Sequence, residues 1–90
     1  MSDWYVYLVR CRDRSLYAGI TTDLERRVHE HNHANKQAAS YTRARRPVTL
    51  VYWESCRTRS EALSREASLR QLSKHDKEAL VLDHARQISH

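Results

Sequence analysis

The sequence predicts an α/β fold: a small three-stranded, mainly antiparallel sheet flanked by helices, in the order β-β-α-(α)-β-α-α. Three observations predict it. Short runs rich in β-branched and aromatic residues mark three strands, helix-capping patterns begin three helices, and 90 residues leave room for one modest core. Because three short strands cannot bury an apolar face alone, the helices are expected to pack on the sheet. We therefore predict a single domain over residues 1–90.

The first two strands form a predicted hairpin. Trp4–Arg10 (WYVYLVR) is β-branched and aromatic, as a strand should be. A turn at Asp13-Arg14-Ser15 follows, and Leu16–Ile20 (LYAGI) returns as the second strand. Tyr7 and Tyr17 are therefore expected on neighbouring strands. The alternative for both is an ordinary core tyrosine with a satisfied hydroxyl.

The first helix follows at once and carries two candidate site residues. A capping box (TDLE) begins it at Thr22, and it runs to about Asn32. At roughly 100° per residue, Arg27 lies at the edge of the stripe that contains His31 and faces the sheet. Arg26 lies on the opposite side. Arg27 and His31 are therefore expected to converge where the helix meets the sheet, and Arg26 to be solvated.

The second half of the chain supplies the remaining four elements. The first is a polar loop at His33–Arg46 with a short helix near Ala38–Arg43, and the second is a strand at Val48–Trp53, after Pro47. A helix then runs from the second capping box (TRSE) to about Leu72, and a last helix runs from Lys74 to about Ala85.

Glu66 projects from the middle of the apolar side of its predicted helix, which Ala62, Leu63, Ala67 and Leu69 mark. A carboxylate that faces a core costs several kcal/mol unless it has a cationic partner or lines a cleft. Two interpretations follow: an ion pair with one of the chain's many arginines, or a functional site.

Tyrosine, arginine, histidine and a carboxylate at one surface suit phosphodiester hydrolysis. Arginine can clamp the phosphate through two bonds, and one carboxylate can hold a Mg²⁺ ion that keeps its waters. Because a phenol has a pKa of about 10, a tyrosine acting as general base at neutral pH carries a penalty of roughly 4 kcal/mol. His31 is expected to titrate nearer neutrality, without that penalty. Tyr7, Tyr17 and His31 all stay open as the base.

Composition and charge narrow the class of partner. Lys and Arg outnumber Asp and Glu by 16 to 11, which gives a formal charge of +5 and suits a polyanion such as nucleic acid. Cys11 and Cys56 have no CxxC spacing, which is typical of reduced thiols in a cytoplasmic protein. No segment has the length and apolarity of a membrane span or a secretory signal.

The run YTRARRP is the candidate nucleic-acid contact. It places Tyr41 beside Arg43, Arg45 and Arg46. Arginines near an aromatic residue suit a patch that tracks phosphates. The alternative is a merely solvated loop.

These residues, in this order, resemble the GIY-YIG nuclease family. The two short motifs stand here as VYL around Tyr7 and as YAG from Tyr17 to Gly19, followed by DLERRVHEHN, YTRARRPVTLVYWE and SEALSREASLRQLSKHDKEAL. The resemblance covers about residues 4–82 and is strongest to small stand-alone bacterial members. The motif isoleucines and the first motif glycine are absent. No asparagine follows Asn35, although some members carry one after the metal-binding glutamate.

The resemblance implies a metal-dependent endonuclease that hydrolyses DNA, is structure-selective or weakly specific, and serves DNA repair or processing. RNA is not excluded as a substrate, and a monomer or weak homodimer is expected. By the family pattern, Tyr7 and Tyr17 are the motif tyrosines, and the first helix supplies Arg27 and His31. The same pattern implies that Glu66 binds a single Mg²⁺ or Mn²⁺ ion. It also implies that Gly19 lets the phosphate approach. The first alternative is a non-catalytic nucleic-acid-binding module of the same fold. The second is a protein-interaction domain with incidental charge.

Overall fold

One central strand organises the sheet. The structure is a computed structural model that describes residues 3–88. Its three strands, β1 (Trp4–Arg10), β2 (Leu16–Thr21) and β3 (Thr49–Cys56), are antiparallel and lie in the order β2-β1-β3. The predicted three-stranded antiparallel sheet is therefore confirmed. The first two and last two residues of the predicted domain lie outside the described residues.

The helices follow the predicted order with small changes at their ends. Within residues 3–88 they are α1 (Leu24–His33), α2 (Ser40–Arg43), α3 (Arg59–Gln71) and α4 (Lys74–Ile88). The last helix is three residues longer than predicted, and β3 continues three residues beyond Trp53. In this part of the chain, no helix combines the length and apolarity that a membrane crossing requires.

The caps show why α1 and α3 begin where they do. The Asp23 side chain accepts a hydrogen bond from the Arg26 amide at 3.0 Å, so Asp23 is the N-cap of α1. The capping box predicted from Thr22 is therefore one residue out of register. The second one is confirmed, because the Thr58 hydroxyl accepts from the Glu61 amide at 3.1 Å.

Helices cover both faces of the sheet, which explains why four consecutive residues of β1, from Val6 to Val9, are all buried. On one face, Val6 and Leu8 join Ala62 and Leu69 of α3. On the other, Tyr7 and Val9 contact partly buried residues of α1, among them Leu24 and Val28. Because side chains alternate along a strand, this second face is the one that presents Tyr7 to α1.

The orientation of α3 differs from the prediction in part. Ala62 and Leu69 are buried, but Leu63 and Ala67 are exposed, so two of the four residues assigned to the apolar side were wrong. The face that packs on the sheet runs through Ala62, Glu66 and Leu69, which are four and three residues apart. Glu66 therefore does lie on the sheet-facing side of the helix.

Candidate active site

Tyr7 and His31 form a buried pair between the sheet and α1. The Tyr7 hydroxyl lies 2.7 Å from His31 Nε2, and the two residues are 1% and 0% exposed. The His31 ring also meets the Tyr17 ring edge-on, with centroids 5.7 Å apart. The side of α1 that was predicted to face the sheet does face it, and it places His31 against both Tyr7 and Tyr17.

The Tyr7 ring packs directly against Gly19, where any side chain would clash with it. The two residues are cross-strand partners in the β1–β2 ladder. A Cβ added at Gly19 would lie 2.4 Å from the Tyr7 hydroxyl oxygen and 2.6 Å from Cζ, far inside van der Waals contact. The position of the Tyr7 ring therefore explains why residue 19 is a glycine. The approach of a phosphate to Gly19 stays a prediction.

The second ring nitrogen of His31 is also hydrogen-bonded. His31 Nδ1 lies 2.7 Å from the Thr42 hydroxyl, which in turn lies 3.1 Å from the carbonyl oxygen of Ala39. Thr42 is fully buried in the short helix α2. A continuous chain of hydrogen bonds thus runs from Tyr7 through His31 and Thr42 to the backbone.

Burial keeps both members of the Tyr7–His31 pair neutral. It raises the pKa of Tyr7 to about 12, against the opposing effect of the nearby Arg27 guanidinium. It lowers the pKa of His31 to about 4, and the positive charge of Arg27 acts in the same direction. The expectation that His31 titrates near neutrality was therefore wrong, because the ring has no access to water. At neutral pH this pair is a phenol and an uncharged imidazole.

This environment predicts a specific loss of stability in acid. The folded-state pKa of His31 lies below the value of about 6.5 expected in the unfolded chain, so the unfolded state takes up the proton first. The stabilisation is complete above about pH 6.5 and is lost as the pH falls towards about 4, by up to about 3 kcal/mol. Glu30 offsets part of this effect, and Arg46 adds to it.

Urea unfolding of wild type and of His31→Gln at several pH values measures the effect. The difference between the two free energies of unfolding should shrink between pH 6.5 and 4. His75→Gln, which replaces an exposed histidine of α4 in the same way, is the matched control. A constant difference across this range for His31→Gln would contradict the assigned pKa.

Arg27 lies beside the Tyr7–His31 pair, at the edge of α1. Its side chain is 22% exposed and donates to Glu30 Oε1 at 3.0 Å and to the Gln37 carbonyl oxygen at 2.6 Å. It also influences the pKa values of both Tyr7 and His31. The Arg26 side chain is 56% exposed. The structure therefore separates the two arginines as the helix periodicity predicted.

Glu66 reaches the same site from α3. Its side chain is 17% exposed and makes an ion pair of 3.2 Å with Arg70, one helical turn later. Arg70 also donates to the Ala18 carbonyl oxygen at 3.2 Å and lies 5.8 Å from the Tyr17 ring centroid. The ion-pair interpretation of Glu66 is therefore correct, and the Glu66 charge also raises the pKa of Tyr7, whereas a functional role for Glu66 stays a prediction.

The number of metal-binding side chains grouped near Glu66 limits the kind of ion that the site can hold. Among residues 3–88, no three His, Cys, Asp or Glu side chains are grouped to hold an ion. A zinc site needs three or four such ligands, whereas Mg²⁺ is commonly held by one or two carboxylates, waters and substrate phosphates. Glu66 fits the second pattern, since its only hydrogen-bond partner among the described residues is the exposed Arg70.

The basic segment after α1 is more involved in internal contacts than the sequence indicated. Arg46 donates to the carbonyl oxygens of His31, at 2.5 Å, and of Ala34, and so satisfies the last turn of α1. Arg43 donates to the Asn35 carbonyl oxygen. These bonds give the arginines structural roles, and their binding of nucleic acid stays a prediction.

Tyr41 and Arg45 extend the site outwards. The Tyr41 ring stacks on the Tyr17 ring, with centroids 5.5 Å apart, and is 37% exposed. The Arg45 guanidinium lies 3.8 Å from the centroid of Tyr41 and pairs with Asp13 at 3.0 Å. The aromatic and basic residues of the YTRARRP run therefore lie next to the motif tyrosines.

Comparison of the sequence with models of known domain families identifies the family of this chain. The model described as the GIY-YIG catalytic domain matches residues 3–79. The chain belongs to the GIY-YIG family. Members of this family are generally endonucleases, so the chain carries a nuclease-type domain with nucleic acid as the implied substrate. The predicted family is confirmed.

Known GIY-YIG relatives resemble the chain over most of its length. A UPF0213 protein of Desulfotalea psychrophila is 56% identical over 78 residues, which cover 87% of this chain and 70% of that protein. A UPF0213 protein of Haloquadratum walsbyi is 52% identical over 82 residues, which cover 90% of each. These relatives place the chain beside the UPF0213 proteins.

Two solution NMR structures share the fold. The UPF0213 protein of Bacillus halodurans is 41% identical and has a TM-score of 0.54, with 87% of this chain and 81% of that chain covered. A protein of E. faecalis is 36% identical and has a TM-score of 0.56, with 94% and 93% covered. The GIY-YIG-like fold class is confirmed.

Two residues of this GIY-YIG site were not predicted in the roles that the structure gives them. Thr42 lies in a polar segment without periodicity, so nothing in the sequence linked it to His31. Arg70 lies one turn after Glu66, and that spacing was the available signal. With no asparagine after Asn35, Arg70 is a polar group beside Glu66 that the family pattern did not indicate.

Proposed function

We propose that the protein is a metal-dependent endonuclease that hydrolyses phosphodiester bonds in DNA. The observation that supports this most is the set of groups around one atom: the Tyr7 hydroxyl bonds His31 and is electrostatically influenced by Arg27, Tyr17 and Glu66. These groups come from β1, β2, α1 and α3, and a simple core tyrosine does not require them. We further propose weak or structure-selective specificity and a role in DNA repair or processing.

Arg27 is the proposed phosphate-binding group. A guanidinium offers a planar fork of donors that matches two phosphate oxygens, and its charge stabilises the additional negative charge of the transition state. Its present acceptors, Glu30 and the Gln37 carbonyl, lie at the solvent-accessible edge of the site. A phosphate can therefore compete for these donors without opening the core.

Tyr7 and His31 are the proposed proton-handling pair. His31 is fully buried and its Nε2 lies 2.7 Å from the Tyr7 oxygen, so in this scheme Tyr7 is the group that passes a proton to it. A phenol whose pKa is about 12 does not ionise at neutral pH, but it can accept a proton from water while it passes its own proton to the imidazole. In this scheme Tyr17 has a positioning role against the His31 ring.

Glu66 is the proposed ligand of a single Mg²⁺ or Mn²⁺ ion, with waters and substrate oxygens completing the coordination. When bound, such an ion stabilises negative charge on the phosphate and on the leaving oxygen. The Arg70 side chain has to release Glu66 for this binding, and its exposed position makes that inexpensive.

The surface around Tyr17 is the proposed DNA contact. Gly19, Tyr41, Arg43, Arg45 and Arg46 lie on the segments that border the tyrosines, and the chain carries a formal charge of +5. Phosphate contacts made by such groups position the substrate without selecting a sequence. Weak sequence preference follows from that.

A cleavage assay tests the proposed function. Supercoiled plasmid, single-stranded DNA, branched DNA and RNA are each incubated with Mg²⁺, Mn²⁺ or EDTA, beside a mock purification from cells without the protein. We expect metal-dependent nicking of at least one DNA, none in EDTA and none with the mock sample. Binding that persists in EDTA and weakens with salt by a log-log slope of about −0.9 per phosphate, without any products, would instead support the non-catalytic module.

A further inference from the structure

Thr42 has two hydrogen-bond neighbours and one proton. Its hydroxyl lies 3.1 Å from the Ala39 carbonyl oxygen and 2.7 Å from His31 Nδ1. For both distances to be hydrogen bonds, the Thr42 hydrogen has to point to Ala39, because a carbonyl oxygen can only accept. Towards His31, the hydroxyl can then offer only a lone pair. In that arrangement Nδ1 carries the hydrogen and donates it to Thr42.

The state of Nδ1 determines the state of Nε2. A neutral imidazole has one N–H hydrogen, and the buried His31 ring is neutral at physiological pH. With that hydrogen on Nδ1, Nε2 is a bare acceptor and receives the hydrogen of the Tyr7 hydroxyl, 2.7 Å away. Every bond in the chain then points the same way, from Tyr7 to the Ala39 carbonyl.

The opposite tautomer is unfavourable at this site. It places the Nδ1 lone pair 2.7 Å from the Thr42 oxygen and forces the hydroxyl to leave Ala39 in order to bond the ring. It also turns the Tyr7 hydroxyl into an acceptor, so its own hydrogen loses the acceptor at Nε2. A buried polar group without a partner costs about 1–3 kcal/mol.

We propose that Thr42 is a positioning residue that holds His31 as the Nδ1–H tautomer and thereby makes Nε2 the acceptor for the Tyr7 proton. During attack, the water O–H bond breaks and its proton passes to the Tyr7 oxygen, while the Tyr7 proton passes to Nε2. The water oxygen forms the new bond to phosphorus, and the leaving sugar oxygen departs with the electron pair of the broken P–O bond. His31 is then an imidazolium that donates from Nδ1 to Thr42, and it returns its proton through Tyr7 to solvent. This inference rests on the proposed hydrolytic function.

The tautomer is measured directly in the free protein, without substrate or metal. Long-range ¹H–¹⁵N correlation spectra distinguish a protonated from an unprotonated ring nitrogen, and His31→Gln identifies the His31 signals among those of the six histidines. We expect the Nδ1–H form in wild type and in Thr42→Ser, and a shift towards the Nε2–H form in Thr42→Val, which keeps the shape of the side chain. An Nε2–H form in wild type, or an unchanged Nδ1–H form in Thr42→Val, would overturn the proposal.

Cleavage rates measured with the same proteins connect the tautomer to catalysis. For Thr42→Val we expect kcat to fall about 10- to 100-fold with KM unchanged, as for other groups that orient a reacting residue, and Thr42→Ser to restore most of it. A Thr42→Val protein with the altered tautomer and full kcat would overturn the proton path. If Thr42→Val does not fold, the wild-type and Thr42→Ser spectra still decide the tautomer. A wild-type protein that shows the Nδ1–H form but cuts no DNA would refute the nuclease and the proton transfer, and would leave the tautomer assignment intact.

Discussion

Glu66→Gln is expected to abolish DNA cleavage in Mg²⁺ and to leave the fold intact. A glutamine keeps the shape of the side chain but lacks the charge that holds a divalent cation. A bound metal contributes several kcal/mol of transition-state stabilisation, and each 1.36 kcal/mol is a factor of ten in rate, so we expect a loss of about a thousandfold or more. The ion pair with Arg70 is also lost, but Arg70 is exposed, so stability changes by under about 1 kcal/mol.

The matched control is Glu61→Gln, an exposed glutamate in the first turn of the same helix. It removes one negative charge from α3 without touching the site, and it should cut at nearly the wild-type rate. Binding of Mn²⁺ to the free proteins, followed by line broadening in NMR spectra, should affect residues near Glu66 in wild type and in Glu61→Gln only. Full cleavage by Glu66→Gln would mean that another group holds the metal or that no metal is needed there.

Part of this site could be predicted because it lies on regular helices. The period of α1 alone separates Arg27 from Arg26 and places His31 one turn later against the sheet. The same reasoning placed Glu66 on the sheet-facing side of α3. It misassigned Leu63 and Ala67, because apolar residues occur on more than one side of that helix and its final rotation is set by packing on β1 and β2.

The remainder depends on contacts between elements that no local pattern encodes. Thr42 reaches His31 from a short helix in a polar segment, and Arg46 returns across the same segment to the end of α1. The buried state of His31, and with it the low pKa of about 4, depends on β1 and α2 closing over the ring together. A sequence shows which residues can take part in chemistry, whereas the tautomer and charge of each depend on the packing of the whole site.

Gly19→Ala is expected to destabilise the protein by about 1–3 kcal/mol and to reduce cleavage at least about a hundredfold. In most strands this substitution is favourable, because glycine costs roughly 0.5–1 kcal/mol relative to alanine. Here the new methyl group would lie 2.4 Å from the Tyr7 hydroxyl oxygen. That ring is 1% exposed and bonded to His31, so it cannot rotate away without breaking the bond on which the proposed proton transfer depends.

A double-mutant cycle separates this clash from a general effect of the extra methyl group. In a Tyr7→Leu background the ring is absent, so adding Gly19→Ala should cost little or even stabilise the strand, and the interaction free energy between the two sites should exceed about 1 kcal/mol. Urea unfolding of the four proteins gives that value. Equal costs of Gly19→Ala in both backgrounds would show that the Tyr7 ring is not what requires a glycine. The Tyr7 ring would then be able to shift away from residue 19. In that case the hydrogen bond to His31 would not fix the position of the Tyr7 hydroxyl, as the proposed proton transfer requires.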